Sequence, residues 1–315
     1  MNRYIIKRII QAVLVIWAVG TLVFFMLRAV PGDPIQALLA DVDPAAADDL
    51  RARLGLDQPV YIQYILWLRN TLQGDLGQSL YGSHVSVSRI IIEAVPRTLS
   101  LAAIAFVISL SLGLATGVIS AVKKHSWLDH VFTLAAFAGI SMPNFWIGIV
   151  LILIFSVGLR WLPAIGYEPL SEGFWPWISH QILPALAAGL PFSAGIARIT
   201  RSAMLEVLQQ DYIRVARSKG LRERNVITHH ALRNALIPVV TVMGISFALL
   251  FSGAVVVENV FAIQGLGRVL IQGIINRDYP LVQGSILLVA VLLVFTNLVV
   301  DILYTVIDPR IDYEK

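Results

Sequence analysis

Six apolar stretches constrain the fold of this chain more than any other feature. None contains Lys, Arg, Asp or Glu, and they occupy residues 9–27, 98–122, 131–159, 173–197, 235–257 and 281–300. Each is long enough to cross the hydrocarbon core of a bilayer, which takes about 20 helical residues. A segment in lipid must satisfy its own backbone hydrogen bonds, and uninterrupted apolar runs of this length do so as helices. The sequence therefore predicts an all-α, polytopic membrane protein with six transmembrane helices.

The composition agrees with a membrane protein and excludes several kinds of site. Of the 315 residues, 57% are hydrophobic and 14% are charged, whereas soluble domains carry about 25% charged residues. The net charge is only +4, and the cations cluster in loops without interleaved aromatic residues, so we expect no nucleic-acid partner. The absence of cysteine excludes disulfides and thiolate ligands. We expect no metal and no cofactor.

Two of the stretches need closer definition. Pro176, Pro184 and Pro191 interrupt the fourth, so we expect a kinked or short helix there, with its membrane part over 180–197. The first stretch exceeds the 7–15 residues typical of a signal-peptide core, and no small-residue cleavage site follows it. We interpret it as a retained helix. The last span is taken to run over 281–303.

The distribution of Lys and Arg predicts the orientation. With the N-terminus inside, fifteen of the 24 basic residues lie in inner segments, as the positive-inside rule requires. Both termini are then cytoplasmic, residues 28–97 form a long outer loop, and residues 198–234 form an inner loop. In the outer loop we expect a helix over 44–54. A second, amphipathic helix over 57–72 would pack on the bundle, lie at the interface or receive an external protein.

Several catalytic and carrier signatures are missing from the sequence. It has no P-loop, HExxH or GxSxG motif, so we expect no enzyme activity in this chain. Glu258, Asp301 and Asp308 are acidic groups near span ends rather than a buried relay. Only the fourth span is clearly interrupted, whereas inverted-repeat carriers show matching broken helices in both halves. A self-sufficient carrier or channel remains the alternative from another class. Gly113 and Gly117 form a GxxxG motif that indicates close helix packing.

The inner loop over residues 211–238 is the strongest candidate for a docking element. Asp211 is a suitable N-cap for a helix over 212–218, and Gly220 can adopt the left-handed conformation that ends it. A second helix over 221–233 would then lead to Pro238 and the fifth span. Ala216 and Gly220 are small residues four apart, which would let a partner surface approach closely. Basic residues crowd the loop and would suit an acidic-rimmed groove on a soluble protein; they are Arg214, Arg217, Lys219, Arg222, Arg224 and Arg233.

This loop also carries a resemblance to a known family. The run DYIRVARSKG followed by ALRNALIPVVT resembles the coupling loop of ABC-importer permeases, in the peptide/nickel/glutathione branch. Further segments resemble the same branch along nearly the whole chain: MLRAVPGDP, LGLDQPVYIQY, GDLGQSL, SMPNFWIGIVL, FAIQGLGRVLI, RDYPLVQG and DILYTVIDPRI. The long loop after the first span is similar to that of the first, B-like permease subunit.

The resemblance implies a type I ABC-importer permease fold in the bacterial inner membrane. It implies a heterodimer with a second six-span permease, two cytosolic ATPase subunits and an extracytoplasmic solute-binding protein. The coupling-loop residues that it implies are Asp211, Arg214, Ala216, Arg217, Lys219, Gly220, Leu221 and Pro238. The transported solutes implied are di- or oligopeptides, with glutathione, nickel chelates and other small solutes left open.

A second candidate region joins the fifth and sixth spans on the outer side. Its turn residues would form either a gate and docking surface for a binding protein or an ordinary structural turn. They are Gly265, Gly267, Arg268, Arg277 and Asp278.

Overall fold

The structure is a computed structural model that describes residues 2–29, 57–80 and 85–307, with side chains over 6–29, 57–80 and 85–299. Within these ranges the regular structure is helical, apart from an isolated bridge between Gln78 and Ser86. The helices are α1 (Asn2–Ala29), α2 (Val60–Leu72), α3 (Val87–Val122), α4 (Trp127–Ser141), α5 (Asn144–Gly158), α6 (Phe174–Leu208), α7 (Asp211–Ser218), α8 (Glu223–Val260), α9 (Leu266–Ile275) and α10 (Tyr279–Ile307). The predicted all-α fold is confirmed.

Five of these helices are long and apolar enough to cross a membrane, and a bent pair of helices raises the number to six if the pair is counted as one span. The five are α1, α3, α6, α8 and α10. The pair is α4 and α5, whose axes differ by 111°. The sequence predicted a span over 131–159, and the structure divides this stretch into two helices at Pro143. Pro143 disfavours helical backbone at the preceding residue, and Met142 is accordingly extended, with φ −89° and ψ 130°.

The fourth apolar stretch, predicted as a kinked or short helix, lies within one long helix. α6 is 35 residues long and contains both Pro184 and Pro191, so a short helix is excluded. Proline inside a membrane helix is tolerated where neighbouring helices surround it. α6 meets this condition because α4, α5 and α8 all pack against it. The helix predicted over 44–54 and the side chains of Asp301 and Asp308 lie outside the described residues.

The chain divides into two compact units, residues 1–98 with 264–295 and residues 99–263 with 296–315. In the first unit, α2 packs along α1 through aromatic and polar contacts. The Tyr64 hydroxyl accepts a hydrogen bond from Trp17 Nε1 at 3.0 Å and lies 2.8 Å from the Thr21 hydroxyl. Arg28 donates to Gln63 Oε1 at 2.9 Å and lies over the Phe24 ring. These contacts agree with the packing alternative for the amphipathic helix, with α1 as the helix on which it packs.

The second unit is organised around a seam between α3 and α6. A Cβ atom at Gly113 would lie 2.7 Å from Ile196 Cβ, and one at Gly117 would lie 2.7 Å from the Ala197 carbonyl oxygen. Contacts this short exclude any side chain at either position, so the GxxxG motif does mark close helix packing. The seam brings Ser109 Oγ within 2.8 Å of the Gly189 carbonyl oxygen, to which it donates.

The seam makes a testable prediction about Gly117. Gly117→Ala would place a methyl group 2.6 Å from Thr200 Cβ, and such overpacking costs about 1–3 kcal/mol. We expect a lower melting temperature for the purified protein in detergent. Gly195→Ala is the matched control, because a Cβ atom there meets nothing within 4 Å. Equal melting temperatures for the two variants would contradict a tight α3–α6 seam.

Candidate functional site

The helix α7 is defined at both ends by local backbone chemistry. It begins after Gln210, whose extended backbone (φ −69°, ψ 148°) makes it the N-cap in place of the predicted Asp211. Asp211 is the first helical residue, where its carboxylate still favours the positive end of the helix dipole. The predicted left-handed Gly220 is confirmed, with φ +76°. The Gly220 N–H donates to the Arg217 carbonyl at 2.9 Å and the Leu221 N–H to that of Ala216 at 3.4 Å, which is a Schellman motif.

One side of α7, its inward face, is buried against the ends of the neighbouring spans. Ile213 is fully buried and Ala216 is 7% exposed. These two residues are three apart and so lie on one face of the helix. They belong to a single apolar cluster with residues of α3, α6 and α8. Its other buried members are Ala121, Met204, Ala203, Val226, Ala231 and Ala235. Burial of the inward face therefore fixes α7 to the membrane helices.

The position of Ala216 corrects a prediction. The sequence placed Ala216 with Gly220 on a small-residue face that a partner would approach. The structure instead buries Ala216 inside its own chain and leaves Gly220 exposed. A carboxylate at residue 216 would thus disturb the fold of the loop before it could affect any partner.

The outward face of α7 and its C-terminal turn expose apolar side chains. Tyr212, Val215 and Leu221 are 43%, 51% and 41% exposed. Lys219 is exposed and has no ion-pair partner in the part of the chain that the structure describes. Apolar residues flanked by cations are suited to contact with another protein surface.

Two of the predicted rim cations are engaged within the loop. Arg217 forms a two-point ion pair with Glu223, at 2.7 Å and 3.2 Å. That hydrogen-bonded pair raises the pKa of Arg217 above its ordinary value. Arg214 lies 3.2 Å from Asp211, and both side chains are largely exposed, so their pair contributes about 0–1 kcal/mol. Arg217 therefore braces the turn between α7 and α8, while Arg214 and Lys219 remain at the surface.

The second helix predicted over 221–233 is not a separate element. α8 begins at Glu223 and continues to Val260, with a π-helical segment over Val226–Leu232. Pro238, a predicted loop residue, is exposed and lies inside this long helix. The Asn234 side-chain amide donates to the Tyr212 hydroxyl at 2.8 Å, which gives α7 a polar link to α8 in addition to its buried face.

The outer candidate region is largely a structural turn. Asp278 is fully buried and its carboxylate accepts hydrogen bonds from the Ser79 hydroxyl and, at 3.1 Å, from the Leu80 N–H. It also accepts from the Leu281 N–H at 3.2 Å, so it caps α10. Asp278 consequently joins the end of the outer loop to α10, and it is not available to a docking protein.

The other predicted residues of the outer region differ in their exposure. Gly265 and Gly267 are buried and Arg268 is half-buried, whereas Arg277 is exposed. Gly265 is the N-cap of α9, and the Leu266 N–H beyond it donates to Thr98 Oγ1 at 2.8 Å. Thr98 was not among the predicted site residues, because nothing local in the sequence links it to residue 266.

An ion pair between a buried carboxylate and a partly exposed arginine, which the sequence did not indicate, lies close to the end of α6. Arg201 donates to Asp129 from Nε at 2.8 Å and from Nη2 at 2.9 Å. Ser120, at the end of α3, hydrogen-bonds to the same carboxylate and accepts from Arg201 Nε at 3.0 Å. The start of α4 is thus tied to both α3 and α6.

Comparison with known protein families shows which family the chain belongs to. The family of binding-protein-dependent transport system inner membrane components matches residues 113–313, and the corresponding N-terminal family matches residues 1–102. The chain belongs to this family of inner-membrane permeases.

Relatives cover the permease from end to end. It is 44% identical over 315 residues to a putative peptide transport system permease protein of Brucella suis, covering 100% of both chains. It is 42% identical to the di/tripeptide transport system permease protein DppB of Pseudomonas aeruginosa, again over 100% of both. The oligopeptide transport system permease protein AppB of Bacillus subtilis is 40% identical, covering 99% of this chain and 100% of AppB.

Solved structures support the fold of the permease. A chain from the MetNI methionine ABC transporter, in inward-facing conformations, aligns with 70% of this permease and 96% of its own length. The TM-score is 0.55 at 18% sequence identity. A second crystal form of the same transporter gives 0.56 at 20% identity. At these identities the likeness concerns the fold alone, and it agrees with the predicted ABC-importer permease fold.

A glutamate substitution should destabilise the loop when it is placed on the inward face of α7, and should leave the loop stable when it is placed on the outward face. Ala216→Glu places a carboxylate in the buried cluster, and an unpaired buried charge is strongly destabilising. Val215→Glu places it at an exposed position, where substitutions change stability by about 0.5 kcal/mol or less. We expect limited proteolysis of the 211–238 segment to be about tenfold faster in Ala216→Glu. Unchanged cleavage in both variants would contradict the burial of the inward face.

Proposed function

We propose that this permease forms half of the translocation pathway of an ATP-driven, binding-protein-dependent importer of di- or oligopeptides. Its partners are a second six-span permease, two cytosolic ATPase subunits and an extracytoplasmic solute-binding protein. The names of the relatives at 40–44% identity support the substrate class. Glutathione, nickel chelates and other small solutes are the alternatives, and the binding protein is the component that selects among them.

The observation that supports the coupling role is that the inward face of α7 is buried and its outward face is exposed. Ile213 and Ala216 hold the helix against α6 and α8, while Tyr212 and Val215 are exposed. A rigid element with one anchored face and one free apolar face can transmit the movement of a soluble partner to the spans. The sequence contains no P-loop, so the nucleotide is bound and hydrolysed by another subunit. The predominance of Lys and Arg in the inner segments favours a cytoplasmic α7 and cytoplasmic termini.

The exposure of the residues in and after α7 supports a coupling surface smaller than the full predicted set. The predicted residues that would meet the ATPase are the exposed Arg214, Lys219, Gly220 and Leu221, together with Val215, an exposed residue that the sequence did not single out. Asp211 is paired with Arg214, Arg217 braces the turn through Glu223, and Ala216 anchors the helix. Pro238 belongs to α8, one turn beyond the contacts with α7. The outer gate is proposed only for Arg277, the exposed member of that set.

The proposal predicts uncoupling by substitutions on the exposed surface of α7. Val215→Glu would bury a carboxylate against the ATPase, and an uncompensated charge in an interface costs several kcal/mol. In proteoliposomes with the complete complex and its binding protein, we expect binding-protein-stimulated ATP hydrolysis and labelled dipeptide uptake to fall at least tenfold. Val215→Thr, with nearly the same shape and no charge, is the control and should transport normally.

Gly220 provides a second matched pair for the same assay. Asn and Asp both tolerate the left-handed conformation at this position, and nothing lies within 4 Å of a Cβ atom there. We expect Gly220→Asp to uncouple more strongly than Gly220→Asn, since only the former adds charge beside Lys219. Wild-type uptake in both Val215→Glu and Gly220→Asp would overturn the coupling role. Uptake of glutathione or a nickel chelate, without competition by dipeptides, would overturn the peptide assignment alone.

A further inference from the structure

A cavity of about 280 Å³ lies between α3, α4 and α6, within the second unit. Small residues of α3 and α6 form one wall beside the tight seam at Gly117, and α4 forms the other. The α4 wall is mainly apolar, with Phe132, Ala136, Phe137 and Ile140. The volume is close to the lower limit for ligand pockets, about 300 Å³.

The cavity opens onto the apolar outer surface of α4. Phe137 is 56% exposed and Ile140 is 44% exposed, and both line the cavity. Val131 and Leu134 of the same helix are also strongly exposed. Because α4 lies in the third predicted span, this apolar surface is of the kind that spans present to lipid. An acyl chain can therefore reach the cavity without crossing a polar surface.

One end of the cavity is cationic. Arg198 and Arg201 are three residues apart on α6 and both line the cavity. Asp129 neutralises Arg201 through Nε and Nη2, and Arg201 Nη1 has no hydrogen-bond partner among the described residues. Arg198 is exposed and forms no ion pair with a carboxylate of the described residues. Ser202 also lines the cavity.

The charged end is at the end of α6 that leads into α7. Ser120 is two residues from the end of α3, and Arg201 is two turns from the end of α6. The uncharged stretch of α6 ends at residue 197, so the cations would lie near the membrane boundary, where lipid head groups are, and the apolar walls would extend towards the membrane interior. Basic pockets between membrane helices on the cytoplasmic side bind anionic head groups.

We propose that this cavity binds an anionic glycerophospholipid, with its phosphate at Arg198 and Arg201 and one acyl chain between α4 and α6. Charge complementarity and the continuity of the cavity with the lipid-facing surface of α4 select this occupant. The bound lipid would brace α4 against the helix that carries α7. The proposed membrane orientation decides only which leaflet supplies the lipid. The lipid site does not depend on which solute is transported.

Native mass spectrometry of the purified complex tests the proposal directly. The probes are phosphatidylglycerol and phosphatidylcholine with identical acyl chains, offered at equal concentration. We expect at least a fivefold preference for phosphatidylglycerol. Arg198→Gln should abolish the preference by removing the unpaired cation, and Ala136→Trp should reduce retention of both lipids at this site by filling the cavity. Arg224→Gln, which removes an exposed cation outside the cavity, should behave like the parent.

Three outcomes would overturn the lipid assignment. Equal retention of the two lipids by the parent would remove the charge argument. An unchanged preference in Arg198→Gln would place the phosphate elsewhere. Loss in Arg198→Gln with full retention in Ala136→Trp would show a head group bound at the surface without an acyl chain in the cavity. Failure here leaves the coupling role of α7 intact, since that role is measured by uptake and ATP hydrolysis.

Discussion

The burial of Ile213 and Ala216 against α6 and α8 is the contact on which the proposed mechanism depends. An eight-residue helix is marginal by itself in water, and this cluster supplies the packing that keeps α7 folded and oriented. The Arg217–Glu223 pair and the Asn234–Tyr212 hydrogen bond connect the same helix to the start of α8. A force applied to the exposed side of α7 therefore reaches two spans at once.

The spans that receive this force are themselves closely packed. α6 carries α7 at its C-terminal end and meets α3 at Gly113 and Gly117 without room for a side chain. The ion pair between Arg201 and Asp129 extends the contact to the start of α4, next to the proposed lipid cavity. Closely packed interiors move as units rather than deforming continuously. The helices around α6 can consequently move as a group when α7 moves. The break at Pro143 would be the limit of this group within the third predicted span.

The sequence was sufficient for the helical class, the family and the C-terminal end of α7, because apolar length, ordered motifs and a glycine suited to the left-handed conformation are local signals. It did not identify which face of α7 is buried, since Tyr212 and Val215 have the same spacing and apolar character as Ile213 and Ala216. Only tertiary contacts with α6 and α8 distinguish the two pairs. The role of Asp278 was equally inaccessible, because its partner Ser79 is 199 residues away.

Site-specific cross-linking would test the central claim, contact between the exposed side of α7 and an ATPase, most directly. The chain contains no cysteine, so Val215→Cys would introduce a single site for a photoactivatable maleimide in the transporting complex. The account predicts a cross-link from residue 215 to the ATPase subunit, and none from the buried control Ile213→Cys. No ATPase cross-link from residue 215 in a complex that still transports would contradict the account, as would equal yields from the two positions.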